Sequence, residues 1–273
     1  MNAVAALRDP RHLQILTLST LWAWAAFALR LPVVGPRPFV VLGVCLATQA
    51  IGSRLARIPF EPRSALISGL SLTLLLRGHD PRAWVLAAVV AIGSKFLFRV
   101  RGKHIWNPTN AGLAVAVLCF DGSWMSPGAW GQVAVFGFAI VGFGSLILRR
   151  TARSDVTWTV VGLWAAMLFG RAWWLGDPLS IPWHQLQNGS FWIFAFLMIS
   201  DPKTLPDARP MRIAYGAAVT VAAYFWTFVG YRENGWVWAL FALAPTVPLL
   251  DLAMRAKKFE WPSLAIRSLR SDP

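Results

Sequence analysis

The chain has 273 residues, 56% of them hydrophobic and 14% charged, with 16 tryptophans and a formal net charge of +14. That balance excludes an ordinary soluble domain. The basic residues punctuate the breaks between apolar segments instead of massing in a tail or along a helix face, which excludes nucleic acid as a partner.

The first twelve residues hold Arg8, Asp9, Arg11 and His12 and no small-residue cleavage site, so the run that follows reads as a retained span. Apolar stretches of membrane-crossing length then recur almost end to end, at 13–29, 38–53, 64–77, 82–98, 108–120, 131–149, 157–175, 188–200, 212–230 and 236–254. The third, fifth and eighth are short. The expected architecture is an all-α integral membrane protein of about ten transmembrane helices, a single membrane domain over 1–273 whose surroundings are the lipid bilayer.

With the amino terminus inside, twenty of the 26 Lys and Arg residues fall in cytoplasmic segments and six in external ones. Positive charge is held back on the cytoplasmic side during insertion, so both termini are expected there, in the cell inner membrane. The two halves, about 13–120 and 131–254, each contain an odd number of spans and would be inverted repeats. In each half the third span ends at an Asp-Pro break, Asp80-Pro81 and Asp201-Pro202. Short paired helices of this kind leave unwound backbone that needs a protected interior, where membrane proteins commonly hold ligands.

Cys45 and Cys119 both lie in apolar runs and read as buried small side chains, so no disulfide framework is expected. No metal-ligand spacing occurs among His12, His79, His104 and His184, and no metal is expected. Gly137, Gly142, Gly144 and Gly162 read as sites of close helix packing. Tryptophans such as Trp84, Trp173, Trp174 and Trp236 near span ends read as an interface belt.

Two stretches carry the chemistry. His104-Ile105-Trp106-Asn107-Pro108-Thr109-Asn110-Ala111-Gly112 opens the fifth span, where Asn107 suits an N-cap and Pro108 the first turn. Capping needs one polar residue; His104, Asn107, Thr109 and Asn110 together exceed it, and free amides at a helix start attract anions. The second stretch, Met198-Ile199-Ser200-Asp201-Pro202-Lys203-Thr204-Leu205-Pro206-Asp207, ends the eighth span on the same face. If the halves fold against each other, the two helix ends converge on one pocket.

These two stretches resemble the paired signatures of the membrane family that contains NqrB, from the sodium-pumping NADH:quinone reductase, and RnfD, from Rnf electron-transport complexes. The resemblance implies ten-span, flavin-carrying subunits that pass electrons across the membrane in multi-subunit ion pumps, with other membrane redox subunits as partners. It implies that His104, Asn107, Pro108, Asp201, Pro202 and Thr204 belong to the family motifs; with Thr109 and Asn110 from the polar helix start, these are the candidate cofactor-binding residues. Family members of the pumps attach FMN through a threonine in the loop after the fifth span; here 121–131 reads D-G-S-W-M-S-P-G-A-W-G, without threonine. Any flavin, FMN or riboflavin, is therefore expected to be noncovalent, and Ser123 and Ser126 read as parts of an interface turn. No catalytic residue stands out. The alternatives are a small-solute or ion channel, which inverted repeats also serve, and an accessory membrane protein of a biosynthetic pathway.

Overall fold

The computed structural model describes residues 9–28, 30, 33, 35–126 and 154–259. Among the described residues the first five helices are α1 (Pro10–Phe27), α2 (Pro36–Leu55), α3 (Pro62–Leu75), α4 (Pro81–Leu97) and α5 (Pro108–Cys119). All five begin on proline, whose absent N–H is an orphan at a helix start in any case. Asp9, Glu61, Asp80 and Asn107 cap four of them by accepting a backbone N–H of the first turn.

The second half comprises α6 (Ser154–Leu175), α7 (Ser180–Leu186), α8 (Gly189–Ile193), α9 (Arg209–Tyr224), α10 (Gly235–Leu243) and α11 (Val247–Ala253). α8 continues into a π turn, Phe194–Met198, and α9 into another, Phe225–Val229, while α10 reaches α11 through a short 3₁₀ turn. Among the described residues three helices, Pro36–Leu55, Arg209–Val229 and Gly235–Ala253, are long and apolar enough to cross a membrane. Every expected span within the described residues coincides with a helix; the expected sixth span, with Gly137, Gly142 and Gly144, lies outside them.

The all-α expectation needs one amendment, because two short antiparallel ladders stitch the helix ends. β1 (Leu76–Arg77) pairs with β4 (Trp124–Met125), and β2 (Arg99–Val100) with β3 (Lys103–His104). The β2–β3 turn has positive φ at Arg101 and Gly102, as a tight two-residue hairpin requires.

Within the first half α2 packs on α3 and α4, α1 on α3, and α4 on α5; in the second, α6 and α10 pack on α9. The halves meet where α5 lies against α10, and one cluster of buried apolar side chains runs from Leu18 to Val247 across both. Close approach occurs at Gly112, where a Cβ would stand 2.4 Å from the Ala87 carbonyl of α4. Gly162, expected at a packed contact, instead has open space around its Cα. Cys45 is buried as expected, but Cys119 is exposed at the end of α5. Both differences arise because an apolar run specifies a helix without specifying which face meets protein and which meets lipid.

Candidate functional site

The hairpin between α4 and α5 aims two consecutive side chains at the far half. Lys103 is buried, and its Nζ donates to the Leu205 carbonyl at 2.6 Å and to Asp251 Oδ2 at 2.7 Å, with Asp207 Oδ1 at 3.1 Å. His104 Nε2 stands 3.5 Å from Asp201 Oδ2, too long for a hydrogen bond of normal geometry. The two motifs are thus tied together by a buried cation before α5 begins.

Asn107 then does two things at once. Its Oδ1 accepts the Asn110 N–H at 3.1 Å, capping α5, and its Nδ2 donates to the Met198 carbonyl and to Asp201 Oδ2, both at 3.3 Å. Asp201 also accepts the Lys203 N–H at 3.0 Å. Burial alone would push the Asp201 carboxyl up; the neighbouring imidazole, the Lys203 amide and the Asn107 amide outweigh it and hold the group below the usual carboxylate range.

The expected convergence of the two helix ends is therefore present. His104, Asn107, Pro108, Thr109, Asp201 and Pro202 line one polar cavity, with Arg11, Ser64 and Ser68 closing it from α1 and α3. Two candidates point elsewhere. Asn110 is fully buried and donates from Nδ2 to the Val237 carbonyl of α10, and the Thr204 hydroxyl is satisfied by the Asp201 carbonyl. The cavity measures about 80 Å³, room for a few waters and well short of the usual volume of a cofactor pocket.

A second cavity lies on the other side of Met198, which lines both. It measures about 330 Å³ and is walled by Trp164, Phe191, Phe194, Phe228 and Trp236. These rings form a continuous cluster: Trp164 and Trp236 have centroids 4.2 Å apart, Phe191 and Phe194 sit 5.2 and 5.1 Å from Trp236, and Phe228 is 5.9 Å from Trp164. Ser126, Gln185, Asn188, Ser190, Thr227, Glu233 and Asn234 also line it.

Both π turns contribute to this wall, Phe194 and Met198 from one and Thr227 and Phe228 from the other. A π turn widens the helix by one residue and is found disproportionately at functional sites. Sequence reasoning missed this cavity, and it placed Trp236 in an interface belt. The five rings come from α6, α8, α9 and α10 and the turns that follow them, so no local spacing announces them. Ser126, expected in an interface turn, is buried, donates its N–H to the Leu75 carbonyl at 2.7 Å and faces the same cavity.

A family model, described as NQR2, RnfD, RnfE family, matches residues 122–260, just over half of the chain. No curated protein matches it.

Proposed function

Because the chain belongs to the NQR2, RnfD, RnfE family of membrane subunits of electron-transport complexes, we propose that it passes electrons through a planar redox ring, a noncovalent flavin, held in the aromatic cavity. The observation that carries this reading is the five-ring wall between two π turns, with a volume in the range of ligand pockets. The residues present fit such a group. Apolar rings suit the faces of an isoalloxazine, and the amides of Gln185, Asn188 and Asn234 suit its polar edge. Such a flavin would supply one- and two-electron transfer.

The chain's own residues would do the rest. Trp164 and Trp236 would exclude water from the cavity. Asn107 and Lys103 hold the end of α8, and so its π turn, in place against α5. His104 and Asp201, 3.5 Å apart in the small polar cavity behind Met198, put an imidazole and a carboxylate close to the ring site. On the same reading this cavity faces the cytoplasm, where partner redox subunits deliver electrons. Reporter fusions after Arg101 should then read cytoplasmic and those after Trp124 external.

The test is the absorption spectrum of detergent-purified protein before and after acid denaturation. Flavin bands that leave the polypeptide on denaturation are expected, and Trp164→Ala should lower flavin content. A colourless protein even when isolated with its complex partners would overturn the proposal. Flavin fluorescence retained by the chain in a denaturing gel would refute the noncovalent assignment.

A further inference from the structure

Two guanidinium groups are buried side by side at the end of α3 remote from the motifs. Arg37, in the first turn of α2, and Arg77, in β1, are 7% and 6% exposed. Arg37 Nη2 donates to the Thr73 carbonyl at 3.1 Å; Arg77 Nη1 donates to the same carbonyl at 3.2 Å and to that of Leu76 at 3.4 Å. The last carbonyls of a helix lack intrahelical partners, so cations are welcome there. The partial charge of one helix end nevertheless falls short of neutralising even a single buried guanidinium.

Arg11 and Arg212, also buried, each face a carboxylate: Arg11 has Asp9 at 2.6 Å and Arg212 has Asp155 at 2.6 Å. Arg77 makes no ion pair among the described residues, and its Nη2 is buried without a hydrogen-bond partner there. Asp80, three residues on, spends its carboxylate on Arg82. The sequence from 127 to 153 contains neither Asp nor Glu. A buried guanidinium with an unused N–H, beside a second guanidinium and with no ion pair of its own among the described residues, is an arrangement that an oxyanion completes, because the planar fork matches two of its oxygens.

We propose that Arg77, flanked by Arg37, binds a phosphate-class oxyanion at this end of the bundle. The group belongs either to a phospholipid head or to a soluble phosphate compound; both present the same oxygens. Arg77 lines neither the polar nor the aromatic cavity, so its response to inorganic phosphate can be read on flavin-free protein, apart from the flavin reading.

The experiment compares parent, Arg77→Gln, Arg77→Lys and the exposed control Arg82→Gln in detergent. Native mass spectrometry reads copurified phospholipid, and thermal unfolding at constant ionic strength reads the response to inorganic phosphate. Phospholipid retained by the parent and the control but lost from Arg77→Gln would identify a lipid head. A phosphate-dependent rise of about 2–4 °C in the lipid-free parent, absent in Arg77→Gln, would identify a soluble source. Arg77→Lys keeps the charge and loses the fork, so it should insert and bind several-fold more weakly. Hydrogen exchange gives a readout without any variant: phosphate or lipid should slow exchange over 70–80 and leave 101–110 unchanged. A parent that holds no lipid and ignores phosphate, an Arg77→Gln that behaves like the parent, or protection at 101–110 instead would each overturn the proposal.

Discussion

The two Asp-Pro breaks share a dipeptide and a carboxylate that accepts the amide two residues on, and they diverge in what else that carboxylate meets. Asp80 turns its carboxylate back on its own helix, accepting from the Arg82 amide at 2.8 Å and pairing with an Arg82 side chain that is 82% exposed. Asp201 instead receives Asn107 from 94 residues away and faces His104, with a side chain only 18% exposed. An Asp-Pro pair encodes a capped turn wherever it occurs. It becomes a site when a second, distant helix end is packed onto it and water is excluded.

The comparison can be broken most forcefully at Lys103. Lys103→Met should leave Asp207 and Asp251 facing each other without their cation, a loss of about 3–5 kcal/mol of the kind seen when one partner of a buried pair is removed. Thermal unfolding in detergent would show it, and an unchanged midpoint would mean that the two motifs are held together by something else.

Asp201→Ala comes next. It removes the acceptor of the Lys203 amide and one of the two acceptors of Asn107 Nδ2 and should lower stability by about 1–3 kcal/mol, and it should slow reduction of any bound flavin more than it lowers flavin content. Combined with Asn107→Ala, whose cap alone is worth about 1 kcal/mol, the double variant should lose less than the sum, by about 0.5 kcal/mol or more. Strict additivity would separate the two residues.

Acid gives a third, milder test. Asp9, though burial pushes it up, is held below the usual carboxylate range by Arg11 and Arg63, and Glu61 is held there first by its hydrogen bond to Arg63. Asp201 is lowered as well. Groups with depressed folded values contribute stability that is present above their unfolded values, about pH 4, and is lost as pH falls through the folded ones. The thermal midpoint should stay level from neutral pH to about pH 5 and drop below about pH 4. A decline already complete at pH 6 would overturn the assignment to these carboxylates.

Asp80→Ala should do least. Faster hydrogen exchange confined to the first turn of α4, with a smaller fall in midpoint than Asp201→Ala and unchanged flavin content, is the expected result. Parity between the two aspartates would erase the distinction.

Much of this molecule was legible in one dimension. Proline at five successive helix starts, the capping residues ahead of four of them and the apolar length of each run are local properties, and the helices fall where those properties put them. The pairing of the two polar motifs was legible because the expected topology puts both at helix ends on one face, and the first carries more polar groups than capping can use. Tertiary structure decided the rest. Met198 divides a small polar cavity from a larger aromatic one, Trp164 and Trp236 meet from α6 and α10, and Arg77 lies buried without a carboxylate among the described residues. An apolar run has the same composition whether its faces meet lipid, a neighbouring helix or a ligand, so which ring faces which can be settled only by how the helices pack.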